Sequence, residues 1–318
     1  MTRANEDPQP SDRREFLSRV AAATTSGALL GSAADAAGAA DALPAELPTV
    51  ALGPYRISRL IVGSNPISGY SYLGPEMDRE MKAYFTPERT LEMLQRCERA
   101  GINTHQFSTA SKATDVYRAL REHGSKLQLI GLHAKREDLP GIVESMGPIG
   151  IAHHGGVTDR LFREGRHGEV RDFTKAVHDL GMLAGVSAHN PDCIRRVADE
   201  GWDVDYFMTC FYYITRKDPP PGPAESLPVL PGPDVGYTFY QNDPKAMCEV
   251  IRQVKQPCLG FKILGAGRRC ASQEAVRAAF RFAFEQIKPT DAVIVGMYPR
   301  RFDQVGANAG YTRQLAAK

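Results

Sequence analysis

What the chain lacks narrows it first. Its six cysteines, Cys97, Cys193, Cys210, Cys248, Cys258 and Cys270, form no C-x-x-C pair, so a structural zinc site of the usual spacing is not expected. A net charge of +2 gives no reason to invoke nucleic acid or an anionic membrane. No stretch reaches the roughly 20 strongly apolar residues of a membrane span. The best candidate, residues 20–40, is broken by Thr24, Thr25, Ser26, Ser32 and Asp35. No G-x-G-x-x-G follows the first apolar strand, where residues 60–69 read LIVGSNPISG; a doubly wound dinucleotide-binding sheet would carry one. What remains, with 42% hydrophobic and 24% charged residues, is an ordinary globular composition.

The N-terminus reads as an export signal. Asp12-Arg13-Arg14-Glu15-Phe16-Leu17 precedes an Ala-rich run, and Ala40-Asp41-Ala42 offers small residues for cleavage. That order, with its arginine pair, is of the twin-arginine type. It implies passage through the twin-arginine export machinery, a periplasmic or secreted destination and no stable membrane anchor. Residues 1–42 are therefore assigned to the signal, 43–50 (LPAELPTV) to a linker and 51–318 to one domain. An oxidising destination permits disulfides, although a chain folded before export can have none.

Past the linker, short apolar strands alternate with helices. Strands are expected at residues 59–63, 102–107, 127–132, 149–152, 183–187, 204–209, 258–263 and 292–297. Helix starts are marked by Thr86-Pro87-Glu88, Asn190-Pro191-Asp192 and Asp243-Pro244, and stops by Gly101, Gly124 and Gly201. A Pro/Gly-rich excursion at 218–234 is too long for a plain loop. Eight βα units in about 245 residues predict an α/β fold, a (β/α)8 TIM barrel.

In such a barrel, catalysis is placed at the carboxyl ends of the strands. If small and polar residues face the axis, alternation points Asn103 and His105 inward on the second strand. It does the same for Gly131 and His133 on the third, Gly150, Ala152 and His154 on the fourth, and Gly185, Ser187 and His189 on the fifth. Five of the eight histidines (His105, His133, His153, His154, His189) fall at these ends. Converging imidazoles suit a divalent transition metal such as Zn, Mn, Fe or Ni, or equally an acid–base set. His105, His133 and His154 are the expected metal ligands, and His154 and His189 the expected acid–base residues. Carboxylates are few there, Asp115 and Asp159 being the nearest by sequence, which weakens a magnesium or calcium site.

Gly260 and Lys262 are expected to face the axis on the seventh strand. There Lys262 would form a Schiff base, stabilise an enolate or neutralise a substrate carboxylate. Arg268, after Gly265-Ala266-Gly267, is the candidate for an anionic cofactor group. Tyr70, Tyr72, Tyr212, Tyr213, Tyr237, Phe239 and Tyr240 crowd the loops after the first and sixth strands, as suits a sugar ring or another flat ligand.

Several segments resemble the aldo/keto reductases. They are Ala100-Gly-Ile-Asn-Thr-His-Gln-Phe107 with Val116-Tyr-Arg-Ala-Leu120, Gly185-Val-Ser-Ala-His189, Asp205 to Tyr213, and Leu52-Gly-Pro-Tyr-Arg-Ile-Ser58, which looks like that family's first hairpin. The resemblance implies the same barrel, NADP and carbonyl reduction by an Asp, Tyr, Lys, His tetrad. Here His105 stands where the aspartate is expected, Ala110 at the tyrosine and His133 near the lysine; only the histidine is matched, by His153 or His154. The expectation is thus an exported enzyme acting on a small, carbohydrate-like carbonyl substrate by isomerase- or lyase-type chemistry. Two alternatives stand beside it: an NADP-dependent reductase with Tyr212 or Tyr70 as proton donor, and a barrel that binds a ligand without turnover.

Overall fold

The structure, a computed structural model, describes residues 46–108, 114–222, 224–227 and 236–316. The expected export signal, residues 43–45 of the linker, Ala110 and most of the excursion's second half lie outside them. An antiparallel hairpin, β1 (Thr49–Leu52) and β2 (Tyr55–Ser58), comes first and takes up the last two residues of the expected linker. Eight parallel strands follow: β3 (Leu60–Gly63), β4 (Thr104–Ser108), β5 (Gln128–His133), β6 (Gly150–His153), β7 (Leu183–Ala188), β8 (Tyr206–Cys210), β9 (Cys258–Phe261) and β10 (Ala292–Gly296). They pair in sequence order, and β10 returns to β3 to close a barrel.

The surrounding helices are α1 (Pro75–Tyr84), α2 (Pro87–Arg99), α3 (Thr114–Glu122), α4 (Leu139–Met146), α5 (Gly155–Arg163), α6 (Gly168–Asp179), α7 (Pro191–Asp199), α8 (Asp243–Gln253), α9 (Gln273–Gln286) and α10 (Gln304–Leu315). The expected caps form: Thr86 Oγ1 accepts from Arg89 N, and Asn190 Oδ1 from Asp192 N. The periodicity does not reveal α1, α5 and α10. Met81 is the one buried residue of α1, α5 opens on Gly155-Gly156, and α10 contains Gly306 and Gly310, all weak helix signals. Among the described residues no helix is long and apolar enough to cross a membrane. All six cysteines are unpaired thiols.

Two apolar layers share the strands. Leu60, Val62, Phe107, Leu129, Ile151, Val186 and Phe207 pack outward against the helices. Ile61, Ile130, Ala152, Met208, Leu259 and Ile294 fill the axis, and Val50, Leu52 and Ile57 of the hairpin join them. Asn103 fastens that hairpin: its Oδ1 accepts from Ser58 N and its Nδ2 donates to Arg56 O. At the centre lies Tyr206, fully buried, its hydroxyl without a partner among the described residues. Gly150 and Gly185 make room for its ring. A Cβ on Gly185 would come within 2.5 Å of ring carbons Cε2 and Cζ.

The phase of this alternation differs from expectation on three strands, β4, β5 and β9. On β4 both faces carry polar side chains, so polarity does not distinguish them. Gln106 and Ser108 reach the mouth, while His105 sits among the helix-facing groups. On β5 the axis takes Ile130 and Leu132, because bulky branched residues fill barrel layers. Gly131 instead faces Ile151 and Phe107 in the outer layer. Gly260 also faces outward, where a Cβ would lie 2.9 Å from Phe211 Cε1. Gly150, Ala152 and Gly185 face the axis as expected.

Filling the space beside Tyr206 has a measurable consequence. Gly185→Ala should lower stability by about 1–3 kcal/mol through overpacking. Tyr206→Phe, which deletes an unpartnered buried hydroxyl, should be neutral or stabilising by about 1 kcal/mol. Urea unfolding midpoints of both variants check the pair.

Candidate active site

A cavity of about 660 Å³ opens at the carboxyl ends of the strands. Gln106, Ser108 and Leu132 floor it, His133 and His154 stand on its wall, and Tyr70, Tyr72 and Tyr237 close it from the loops. The tyrosines are those the sequence placed near the mouth.

His154 is the first residue beyond β6 and caps α5. Part of its ring meets solvent. Burial of the rest, followed by the nearby charges of His189 and Lys262, lowers its pKa from the ordinary histidine value. His189 follows β7 and is buried. Its Nδ1–H donates to Asp159 Oδ2 at 2.8 Å, which leaves the lone pair on Nε2. Burial is the larger influence on His189 and lowers its pKa, with Asp159 acting in the opposite sense.

Asp159 on α5 is almost fully buried and serves four donors: His189 N and Nδ1, Asn190 N, and Thr215 Oγ1. It therefore ties together the connections after β6, β7 and β8. By sequence Asp159 is only a nearby carboxylate. Its position five residues after His154 acquires meaning once α5 is known to be a helix. Gly155 is the close approach in this corner. A Cβ there would lie 2.9 Å from Ser187 Oγ and 3.2 Å from His189 Cε1, so the start of α5 reaches β7 only with glycine.

Lys262 leaves β9 in a left-handed conformation, φ 61°, which interrupts the strand's alternation. Its Nζ lies 4.6 Å from the centroid of the Tyr72 ring and 4.9 Å from that of Phe261. Tyr72 is also left-handed, φ 59°. Two strained residues in contact at the mouth fit the tendency of such strain to collect at functional sites. Burial alone would lower the Lys262 pKa, but the Tyr72 phenol, the Cys210 thiol and Tyr237 together raise it above the ordinary lysine value. Lys262 is therefore a cation at neutral pH, the wrong state for attack on a carbonyl as a free amine.

The remaining expected residues are placed elsewhere. His105 does not reach the cavity: its Nδ1–H donates to Val62 O at 2.9 Å and its Nε2 accepts from Tyr117 Oη at 3.1 Å. Both nitrogens are engaged, so His105, His133 and His154 do not assemble as a ligand set. Among the described residues no group of three or more His, Cys, Asp or Glu is arranged to hold a metal ion. His133 Nε2–H donates to Asp138 at 2.9 Å on the cavity rim. His153 faces outward, with Nδ1 on Thr158 Oγ1 and its ring edge on Phe173. Tyr212 is fully buried and its hydroxyl accepts from Arg269 Nε at 2.8 Å, away from the cavity lining. Arg268 lies 4.0 Å from the Phe239 ring centroid and donates weakly to Gly265 O. The expected cofactor arginine is thus stacked on the protein's own aromatic ring.

Solved structures of similar shape bear on the fold. An aldo-keto reductase from Bacillus halodurans in its holo form superposes with a TM-score of 0.54 at 12% identity, covering 85% of this chain and 95% of that one. A glycerol dehydrogenase from Gluconobacter oxydans gives 0.51 at 11%, covering 83% and 89%. A putative 2,5-diketo-D-gluconic acid reductase B gives 0.50 at 10%, covering 85% and 91%. The fold is an aldo-keto-reductase-like (β/α)8 barrel. At these identities the likeness is one of architecture and does not transfer a reaction. No family model and no curated protein matches the sequence.

Two measurements follow. The His105 pKa is lowered to about 4 from 6.5, first by burial and with the Val62 carbonyl opposing. The folded state thus holds His105 neutral while the unfolded chain protonates it. Its contribution is fully present above pH 6.5 and is lost as the pH falls towards 4, on the order of 3 kcal/mol. His105→Gln should flatten that part of the stability–pH curve, read from chemical denaturation at a series of pH values. Asp159→Asn removes the acceptor that fixes the His189 tautomer. The ¹⁵N signals of His189 should then change from a single Nδ1–H form to a mixture, whereas an unchanged spectrum would deny Asp159 that role.

Proposed function

We propose that this chain is an acid–base enzyme acting on a polyhydroxy, sugar-derived carbonyl compound. His154 and His189 move the proton and Lys262 is the fixed cation. The observation that supports it is that His154 lines the cavity while His189 and Lys262, just behind its lining, both pack on the Phe261 ring, with Asp159 behind His189. Two imidazoles with lowered pKa are neutral at pH 7 and free to accept a proton. One takes the proton from the carbon beside the carbonyl, and the electron pair moves onto the carbonyl oxygen near Lys262. Returned to the same carbon, that proton gives exchange with solvent. Delivered to the neighbouring carbon it gives isomerisation, and delivered to a β-hydroxyl it gives loss of water. The histidine trio expected to hold a metal is not assembled, so no step is routed through one. Export to the periplasm or beyond belongs to the same proposal, on the strength of residues 12–17.

A reductase reading has one observation in its favour besides the architecture. Tyr72 lies against Lys262 with His154 on the same mouth, which brings together a phenol, a lysine and a histidine. The guanidiniums of Arg268 and Arg269 contact Phe239, Gly265 and Tyr212, so the turn after β9 gives a dinucleotide no evident free anchor.

Incubation of a panel of aldoses, ketoses and sugar acids in D2O, followed by NMR, separates the readings. The wild type should exchange or move the proton beside the carbonyl of at least one compound. His154→Gln and His189→Gln should each slow this by roughly 10²–10⁴-fold. Because the neutral imidazole is the working form, the rate should fall on the acid side as the pH drops through the lowered histidine pKa. Full rates in both variants would sink the acid–base reading. NADPH-dependent reduction that is lost in Tyr72→Phe would replace it with the reductase.

A further inference from the structure

Lys262 is a cation without a counter-charge. Its Nζ rests on the rings of Tyr72 and Phe261, and among the described residues no carboxylate pairs with it. The nearby carboxylates already have partners. Asp159 serves His189, Asn190 and Thr215, Asp78 accepts from Ser71, Asp138 from His133, and Asp243 from Arg216 and Tyr213. Lys262 reaches the cavity through Tyr72, the lining ring on which its Nζ rests, and Lys135, itself on the lining, has no ion pair among the described residues either. Removing a cation from water with only a phenol and no anion beside it is costly, and Lys262 also carries a left-handed backbone. Ser64 Oγ, on the cavity lining, is buried with no partner among the described residues, so the cavity has a place for a hydrogen-bonding group of the ligand.

We infer that the ligand of this mouth is a sugar acid, a polyhydroxy carboxylate whose carboxylate sits on Lys262. This deepens the acid–base reading and rests on it for the site's use, because a carboxylate on Lys262 brings the adjacent carbon towards His154 and His189. A single lysine behaves as a point charge and matches one negative charge. Among the described residues the lining offers no arginine cluster of the kind that phosphate recognition favours. The polyhydroxy part would meet the three tyrosines and the amide and hydroxyl groups of Asn65, Gln106 and Ser108.

The test is calorimetric titration of the full chain with D-glucuronate, D-galacturonate and D-gluconate, each against its neutral amide, and with glucose 6-phosphate. The wild type should bind at least one acid roughly tenfold to a hundredfold tighter than its amide, the range of a charged hydrogen bond. Lys262→Met should bind that pair equally. Lys262→Arg, which keeps the charge, should retain the preference. Equal behaviour of every acid and its amide in the wild type, including no binding by either, overturns the inference, and that comparison needs no variant to fold. A preference undiminished in Lys262→Met, or tighter binding of the phosphate ester, also overturns it. Because binding is read without turnover, the two proposals fail separately. An acid preference with no proton transfer anywhere removes the acid–base reading alone, and proton transfer on neutral sugars with no acid preference removes this one alone.

Discussion

Closing eight parallel strands into a cylinder fixes the inward or outward phase of every strand at once, because each is hydrogen-bonded to neighbours on both sides. The axis must then be filled. Tyr206 occupies its centre against Gly150 and Gly185, Ile61, Ile130 and Ile294 surround it, and the hairpin seals the amino-terminal end. Once those positions are taken, the strands have no freedom to present a chosen polar residue to the mouth. His105 is the plainest result. It sits at a strand position that sequence spacing makes attractive, yet closure sends it towards α3, where Val62 and Tyr117 take both its nitrogens.

At the open end one buried carboxylate organises what closure leaves. Asp159 receives donors from two different connections and so holds His189 in a single tautomer against the start of α5. A carboxylate removed from water is stabilised only when several donors compensate it, and here four do so. The same contacts that satisfy Asp159 orient His189, so the local fold and the chemistry of the mouth depend on the same hydrogen bonds. Across the mouth, Lys262 lacks such compensation. The site thus pairs a fully compensated acid with a cation that has only aromatic rings and a phenol beside it.

The architecture matches solved aldo-keto reductases in shape while the chain shares only about a tenth of its residues with them. Such a barrel constrains where a site can lie far more than what it does. The tyrosine and lysine at this mouth come from the loop after β3 and the end of β9, not from the sequence positions at which the resemblance would look for them. The resemblance thus bears on the architecture, and the chemistry of the mouth is read from the side chains gathered there.

The sequence by itself determined the eight βα units, their order and their caps, because apolar strand runs, Pro at helix starts and Gly at helix ends act over a few residues. It also placed His154, His189 and Lys262 at strand ends, as the boundaries of β6, β7 and β9 were legible. Only the tertiary structure decided which face of β4 and β5 looks inward. Both faces of β4 carry polar groups and both faces of β5 are apolar, so a period of two has no contrast to report. The tertiary structure alone also revealed α5 behind its two glycines and, with it, the bond from Asp159 to His189 thirty residues away. The turn of Lys262 over Tyr72 likewise depends on a left-handed backbone at two non-glycine residues, a conformation that contacts distant in the chain must enforce because the residues themselves disfavour it.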